Sequence, residues 1–261
     1  MPKTITSTGE FKELWTMPPN FYVSHEFYRP DFSFPSALEV LDVVRHDEEA
    51  RVTLLGSDSP AVRTAKTMSF KRAPVEEVAT WSFRLAHFNL SRLYDGVLHG
   101  FYEQVMIPWR MFLAAQGFTW QRCAPDLFIS GPGGSSTYHA DQSHGLVWQV
   151  EGAKTFHSYV VPDSAVPADS AISGDFTAED PPPHADEDRQ DARMEPGELL
   201  WSHFLTPHWV TGESPLSMSV TLSHGGLCHQ GRYAERETAL RRHWDHHPEQ
   251  AWLTDLRNTR Y

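Results

Sequence analysis

Beyond residue 117 the chain alternates short apolar runs with Gly- and Pro-rich breaks. Asp126-Leu127-Phe128-Ile129-Ser130 is the first such run, and Gly131-Pro132-Gly133-Gly134 closes it with a strong turn signal. Gly145-Leu146-Val147-Trp148-Gln149-Val150-Glu151 is a second. Gly152 allows a turn into Lys154-Thr155-Phe156-His157-Ser158-Tyr159-Val160-Val161, which Pro162 ends. Glu198-Leu199-Leu200-Trp201, His208-Trp209-Val210 and Ser217-Met218-Ser219-Val220-Thr221-Leu222 supply three more. Short strands broken by Gly and Pro predict an antiparallel barrel or jelly roll.

The flanking parts read differently. Up to about residue 70, short apolar runs such as Ala37-Leu38-Glu39-Val40-Leu41 sit between Pro and charged residues. This predicts a helix or two and irregular chain packed on the main domain. Residues 95–117 suit a helix capped by Asp95 and ended by Gly117, with Leu98, Phe101, Val105, Phe112 and Ala115 roughly on one face. Pro108 is expected to kink or split it. Residues 163–195 are rich in Asp, Glu, Pro and Ala and include Pro181-Pro182-Pro183. They predict a long loop, either a solvated insertion or a lid over the barrel mouth. A helix is expected from about Gly231 through Arg241, its arginines forming a solvated face or a homodimer contact. The expected organisation is one domain over 1–261: a mostly helical and irregular part (1–120), a β core (121–228) and a helical tail (229–261).

Composition narrows the function. Hydrophobic residues make up 40% and charged residues 21% of 261 residues, as in globular proteins. The formal net charge of −12 argues against a nucleic-acid binder. No apolar run is long enough for a membrane span, and the first residues do not read as a secretion signal. Cys123 and Cys228 form no metal-type pair and no disulfide framework, so a reducing, cytoplasmic setting is expected. The fifteen histidines are the departure from ordinary composition.

His-x-Asp occurs three times, at His139/Asp141, His184/Asp186 and His243/Asp245. On a strand, residues two apart point to one face, so the pair aims an imidazole and a carboxylate at one point. A second histidine from a later strand would complete two His and one carboxylate on one face of an octahedral ion, a set that suits non-haem Fe(II). Context separates the three matches. His184 follows three prolines in the acidic stretch, and His243 ends a predicted helix, where positions i and i+2 diverge. Only His139 has a Gly-rich strand turn before it and a pair of strands after it.

The stretch Leu127-Phe128-Ile129-Ser130-Gly131-Pro132-Gly133-Gly134-Ser135-Ser136-Thr137-Tyr138-His139-Ala140-Asp141 resembles the first metal-binding segment of jumonji-C and cupin-like 2-oxoglutarate oxygenases. Gly152-Ala153-Lys154-Thr155-Phe156 resembles their Gly-x-Lys strand. Pro196-Gly197-Glu198-Leu199-Leu200-Trp201 through Pro207-His208-Trp209-Val210 resembles the segment with the last ligand, and residues 217–222 resemble the serine-rich strand that follows. The resemblance covers about residues 126–224. It implies a double-stranded β-helix with helices around it, and Fe(II) held by His139, Asp141 and His208. His203 stands where the family often has proline. Lys154 would meet the distal carboxylate of 2-oxoglutarate, helped by Ser136 or Thr137. The family's asparagines after the His-x-Asp and on the last strand are missing here. The implied reaction couples oxidative decarboxylation of 2-oxoglutarate by O2 to hydroxylation of a C–H bond in a small molecule, amino acid or peptide side chain. A metal-binding cupin without oxygen chemistry is the alternative. Such a protein needs no buried cation for a diacid. His144 and His224 read as structural or substrate-facing. Trp148, Trp201, Trp209 and Tyr159 are either pocket walls or core.

Overall fold

The computed structural model describes residues 2–56, 60–173 and 188–251. Through them run strands β1 Thr4–Ile5, β2 Phe21–Val23, β3 Arg51–Leu54, β4 Phe83–His87, β5 Phe118–Thr119, β6 Arg122–Ser130 and β7 His144–Glu151. They continue with β8 Lys154–Tyr159, β9 Arg189–Met194, β10 Leu199–Ser202, β11 His208–Gly212, β12 Ser217–Gly225, β13 Cys228–His229 and β14 Arg232–Tyr233. Eight form a large sheet in the order β1-β2-β10-β7-β12-β6-β4-β3. The order β11-β8-β9 makes a second sheet, and β14-β13-β5 a small third. The fold is the jelly roll expected from the sequence, mainly β with flanking helices.

Period-2 alternation decides what each face of the large sheet carries. On β12, Met218, Val220, Leu222 and His224 are buried on one side, while Ser219, Thr221 and Ser223 line a cavity on the other. On β6, Cys123, Leu127 and Ile129 go to the core, and Asp126, Phe128 and Ser130 line the cavity. The two strands pair along their whole length, from Ser217 opposite Ser130 to Gly225 opposite Arg122. A one-residue slip would carry the hydroxyls into the core, so the register is strongly specified.

Helices cover the apolar side of the large sheet. The helix Ala37–Val44 starts in a capping box, with Ser36 Oγ accepting from Glu39 N and Glu39 Oε2 accepting from Ser36 N at 2.9 Å. It buries Val40, Leu41 and Val44 in the same cluster as Leu127, Ile129, Val220 and Leu222. Truncating one such aliphatic side chain to Ala costs about 2–5 kcal/mol. Among the described residues, no helix is long and apolar enough to cross a membrane.

Three elements differ from expectation. The first 120 residues give more than helices and irregular chain, because β1–β4 join the large sheet at both ends of its order. Phe83-Arg84-Leu85-Ala86-His87 does alternate, with Phe83, Leu85 and His87 buried. The helix expected over 95–117 begins later. A π-helical stretch Tyr102–Met106 leads into Ile107–Ala115, with Pro108 in the first turn. The helical run thus divides into a π-helical and an α-helical part immediately before Pro108, as expected of a proline that cannot donate. The expected long loop 163–195 is shorter: it holds helices Pro162–Ala165 and Ala168–Ser173 and ends in β9. Gln190, Ala192 and Met194 of β9 face inward, and Arg189, Asp191 and Arg193 face out. Charges suit an edge strand, and they hide its hydrophobic signal. Residues 174–187, the middle of that stretch, lie outside the described residues, as do 252–261 of the tail.

Candidate active site

The turn after β6 delivers the first candidate ligands. At Gly131 a β-carbon would collide with the Trp81 carbonyl, so this close approach requires glycine. The chain then lies along β11, with Ser135 opposite Thr211 and His139 opposite His208. His139 N donates to His208 O at 3.0 Å, and His208 N donates to His139 O at 2.7 Å. The two rings therefore meet across one rung, their centroids 4.4 Å apart. Asp141, two residues on, is anchored by its carbonyl, which accepts from Leu205 N at 2.8 Å.

Each imidazole is oriented by a carbonyl. His139 Nδ1 donates to Thr137 O at 2.7 Å, and His208 Nδ1 donates to Thr206 O at 2.9 Å. A carbonyl only accepts, so both Nδ1 atoms carry a proton and Nε2 is the nitrogen of each ring that can offer a lone pair to an ion. Those Nε2 atoms face the Asp141 carboxylate, at 3.8 Å from His139 and 3.6 Å from His208. All three donor atoms lie within 4.8 Å of one another. Burial holds His208 down to about 4, and the neighbouring imidazole adds to this, so the ring stays neutral near pH 7. Two neutral nitrogens and one carboxylate suit a divalent ion of the first transition row.

The three side chains open into a cavity of about 430 Å³, which they share with Lys154 and Ser136. β8 and β11 place Lys154 there. Ser158 pairs with His208, Phe156 with Val210 and Lys154 with Gly212. Lys154 thus lies four residues, about 13 Å, along the inner face from the triad rung. Its preceding turn depends on Gly152, at φ +67°, where a β-carbon would also meet the Leu216 carbonyl. Lys154 is 2% exposed. Its Nζ donates to Ser219 Oγ at 3.0 Å and to Phe128 O at 3.3 Å, and no carboxylate pairs with it among the described residues. Burial alone brings its pKa down to about 7. Ser136 Oγ accepts from Val210 N at 2.9 Å, which leaves its O–H free to donate into the cavity. Thr137 also lines the cavity.

The remaining candidates fall elsewhere. His184 and Asp186 lie outside the described residues. His243 and Asp245 sit on the helix Glu235–His246, where His243 Nε2 pairs with Gln250 Oε1 at 2.9 Å. His144, His203 and His224 are buried among aromatic rings behind the sheet. Trp148, Trp201, Trp209 and Tyr159 pack in hydrophobic clusters and do not line the cavity. Tyr138 points away from the triad into a cluster with Tyr159 and Trp209. Sequence reasoning missed Arg51, Arg84 and Asp126 in the cavity wall. The alternation of Phe83-Arg84-Leu85-Ala86-His87 was the signal available for Arg84. A larger open cleft of about 870 Å³ lies on the outer face of the second sheet, where Thr155 and His157 point, and holds none of the triad.

No family model matches this sequence, and no curated protein is significantly similar to it. Solved structures are similar. The ribosomal oxygenase YcfD from Escherichia coli, in complex with cobalt and 2-oxoglutarate, superposes with a TM-score of 0.55 at 15% identity over 95% of this chain. The same protein with cobalt and succinic acid gives 0.54 at 14% identity, again over 95% of this chain. The match spans only 58% of the YcfD chain in both cases. The likeness establishes a shared fold.

Proposed function

We propose that this chain is an Fe(II)- and 2-oxoglutarate-dependent oxygenase that uses O2 to hydroxylate a C–H bond of a small molecule or peptide side chain. One observation carries the reading: a His-Asp-His cluster and a buried lysine that has no carboxylate partner among the described residues line one cavity. A metal site alone needs no such lysine. Burying an uncompensated cation is costly, so its place next to a candidate metal centre fits a small dianion that spans the two. The cobalt and 2-oxoglutarate held by YcfD support the same assignment.

In this reading His139, Asp141 and His208 hold the iron. When bound, iron with O2 supplies the oxidative decarboxylation of the co-substrate and the oxidation of the substrate C–H bond. The protein's own residues position and shield. Thr137 O and Thr206 O fix the imidazole tautomers through the Nδ1 protons. Lys154, steadied by Ser219, neutralises the distal carboxylate, and the Ser136 hydroxyl donates to it. Because Lys154 sits near half-protonation when alone, an arriving carboxylate draws a proton onto its amine. Adding Fe(II) and then 2-oxoglutarate under nitrogen tests the proposal. A weak visible charge-transfer band of chelated iron is expected, and its absence at saturating 2-oxoglutarate would refute the oxygenase reading.

A further inference from the structure

The wall that β3 and β4 add to the cavity carries charge the proposed chemistry does not use. Arg51 and Arg84 line the same cavity as the triad. Thr53 pairs with Arg84 and Ala86 with Arg51, so the two arginines are diagonal neighbours on one face, about 7–8 Å apart at the backbone. Arg84 uses one donor, on Ser135 O at 3.3 Å. Arg51 lies over the Phe88 ring at 4.7 Å and makes no side-chain hydrogen bond or ion pair among the described residues. Several other arginines pair with carboxylates, Arg45 with Asp42, Arg92 with Asp47, Arg193 with Glu213 and Arg241 with Glu237, while Arg110 does not. No carboxylate forms a salt bridge with Arg51 or Arg84 among the described residues. Beside the arginines, Phe88 and Phe128 meet edge to face at 5.9 Å, and both line the cavity. Asp126 lines the same wall, tied to Ser223 Oγ at 2.6 Å; along β6 it stands four residues from Ser130, the partner of Arg84, and two from Phe128, the partner of Ala86 beside Arg51.

Resting on the oxygenase reading, we infer that the substrate carries a carboxylate, held by Arg51 and Arg84, on an apolar body that packs against Phe88 and Phe128. This site adjoins Lys154, whose Nζ donates to the Phe128 carbonyl at 3.3 Å and which serves the co-substrate in the proposed function. A planar guanidinium binds a carboxylate through two parallel N–H donors, and the pair offers more donors than it uses.

Binding of 3-phenylpropionate and its neutral amide, followed by ligand-observed NMR on the 261-residue chain, tests the inference. Wild type should favour the acid by about tenfold or more, as a charge-assisted bond does. Arg84→Gln and Arg51→Gln should each reduce that preference several-fold. Arg84→Lys should retain part of it, and Lys154→Met should not abolish it. Equal affinity for acid and amide in wild type overturns the inference. So does a preference that survives both arginine changes and vanishes in Lys154→Met, which would place the anion in the co-substrate site. If Arg84→Gln does not fold, exposed Arg51 alone decides. Neither iron nor 2-oxoglutarate is added, so failure of the oxygenase reading is seen separately, in the missing charge-transfer band.

Discussion

Two sets of histidines lie on opposite sides of the jelly-roll wall. His139 and His208 face the cavity, each with Nδ1 tied to a carbonyl and Nε2 open. His144, His203 and His224 sit in the aromatic core. There His224 Nε2 accepts from Trp109 Nε1 at 2.7 Å, His144 Nδ1 accepts from Phe204 N at 3.3 Å, and His203 Nε2 donates to Leu14 O at 2.9 Å. Strand parity separates the two sets. The cavity set leaves Nε2 open toward Asp141, while burial keeps the core set neutral among the aromatic rings.

Substitution should break this comparison most sharply. His139→Ala, Asp141→Ala and His208→Ala should abolish iron-dependent turnover of 2-oxoglutarate while leaving the melting temperature nearly unchanged. His224→Ala should do the reverse. It opens a cavity and strands the Trp109 N–H, so a loss of about 3 kcal/mol is expected in urea unfolding, with iron affinity intact in the folded fraction. Iron loss in a stable His224→Ala protein would erase the distinction.

Acid should act on the core set next. Burial lowers His203 to about 4 and His224 to about 3, against about 6.5 for a free imidazole. The unfolded chain therefore binds more protons between these values. Stability should be full above about pH 6.5 and fall as the pH drops toward 4, by on the order of 3 kcal/mol per histidine. Urea midpoints at pH 7 and pH 4.5 measure this, and equal midpoints would show that the rings are not shielded.

On the cavity side, Lys154→Met should weaken 2-oxoglutarate binding at least about tenfold without changing iron affinity, because a charge-assisted bond is lost. Anaerobic titration of the iron-loaded proteins reads it directly, and equal affinities would remove Lys154 from the site. Ser136→Ala should have the smallest effect. Losing one hydroxyl donor is worth about 1 kcal/mol, so the KM for 2-oxoglutarate should rise about fivefold. No change would assign Ser136 only to its bond with Val210 N.

The sheet, and the His139-x-Asp141 and His208 that come together in it, were legible because turn glycines and strand alternation are local signals. Gly131 to Gly134 mark the turn, and Ser219, Thr221 and Ser223 alternate with Val220 and Leu222. The parts that stayed hidden depend on partners far along the chain. Arg51-Val52-Thr53-Leu54 is too short to announce a strand, and it becomes one by pairing with β4. Arg84 and Asp126 reach one cavity only because β4 lies beside β6. β9 reads as solvated chain since its outward residues are all charged. His243 lies on the helix that its context predicted and pairs with Gln250.

The paired backbone bonds between His139 and His208 have a kinetic consequence. They make two imidazoles a prebuilt bidentate chelator whose arms need not be drawn together, so no loop closure opposes the first two coordinate bonds. Asp141 has no such rung, and its side chain is 58% exposed against 6% for His208. If the three side chains hold the proposed iron, its residence time would be governed by how often this one carboxylate swings away. Exchange of iron for another divalent ion would pass through a doubly coordinated state held by the histidines, and it would quicken in Asp141→Asn far more than the equilibrium geometry of the two rings would change.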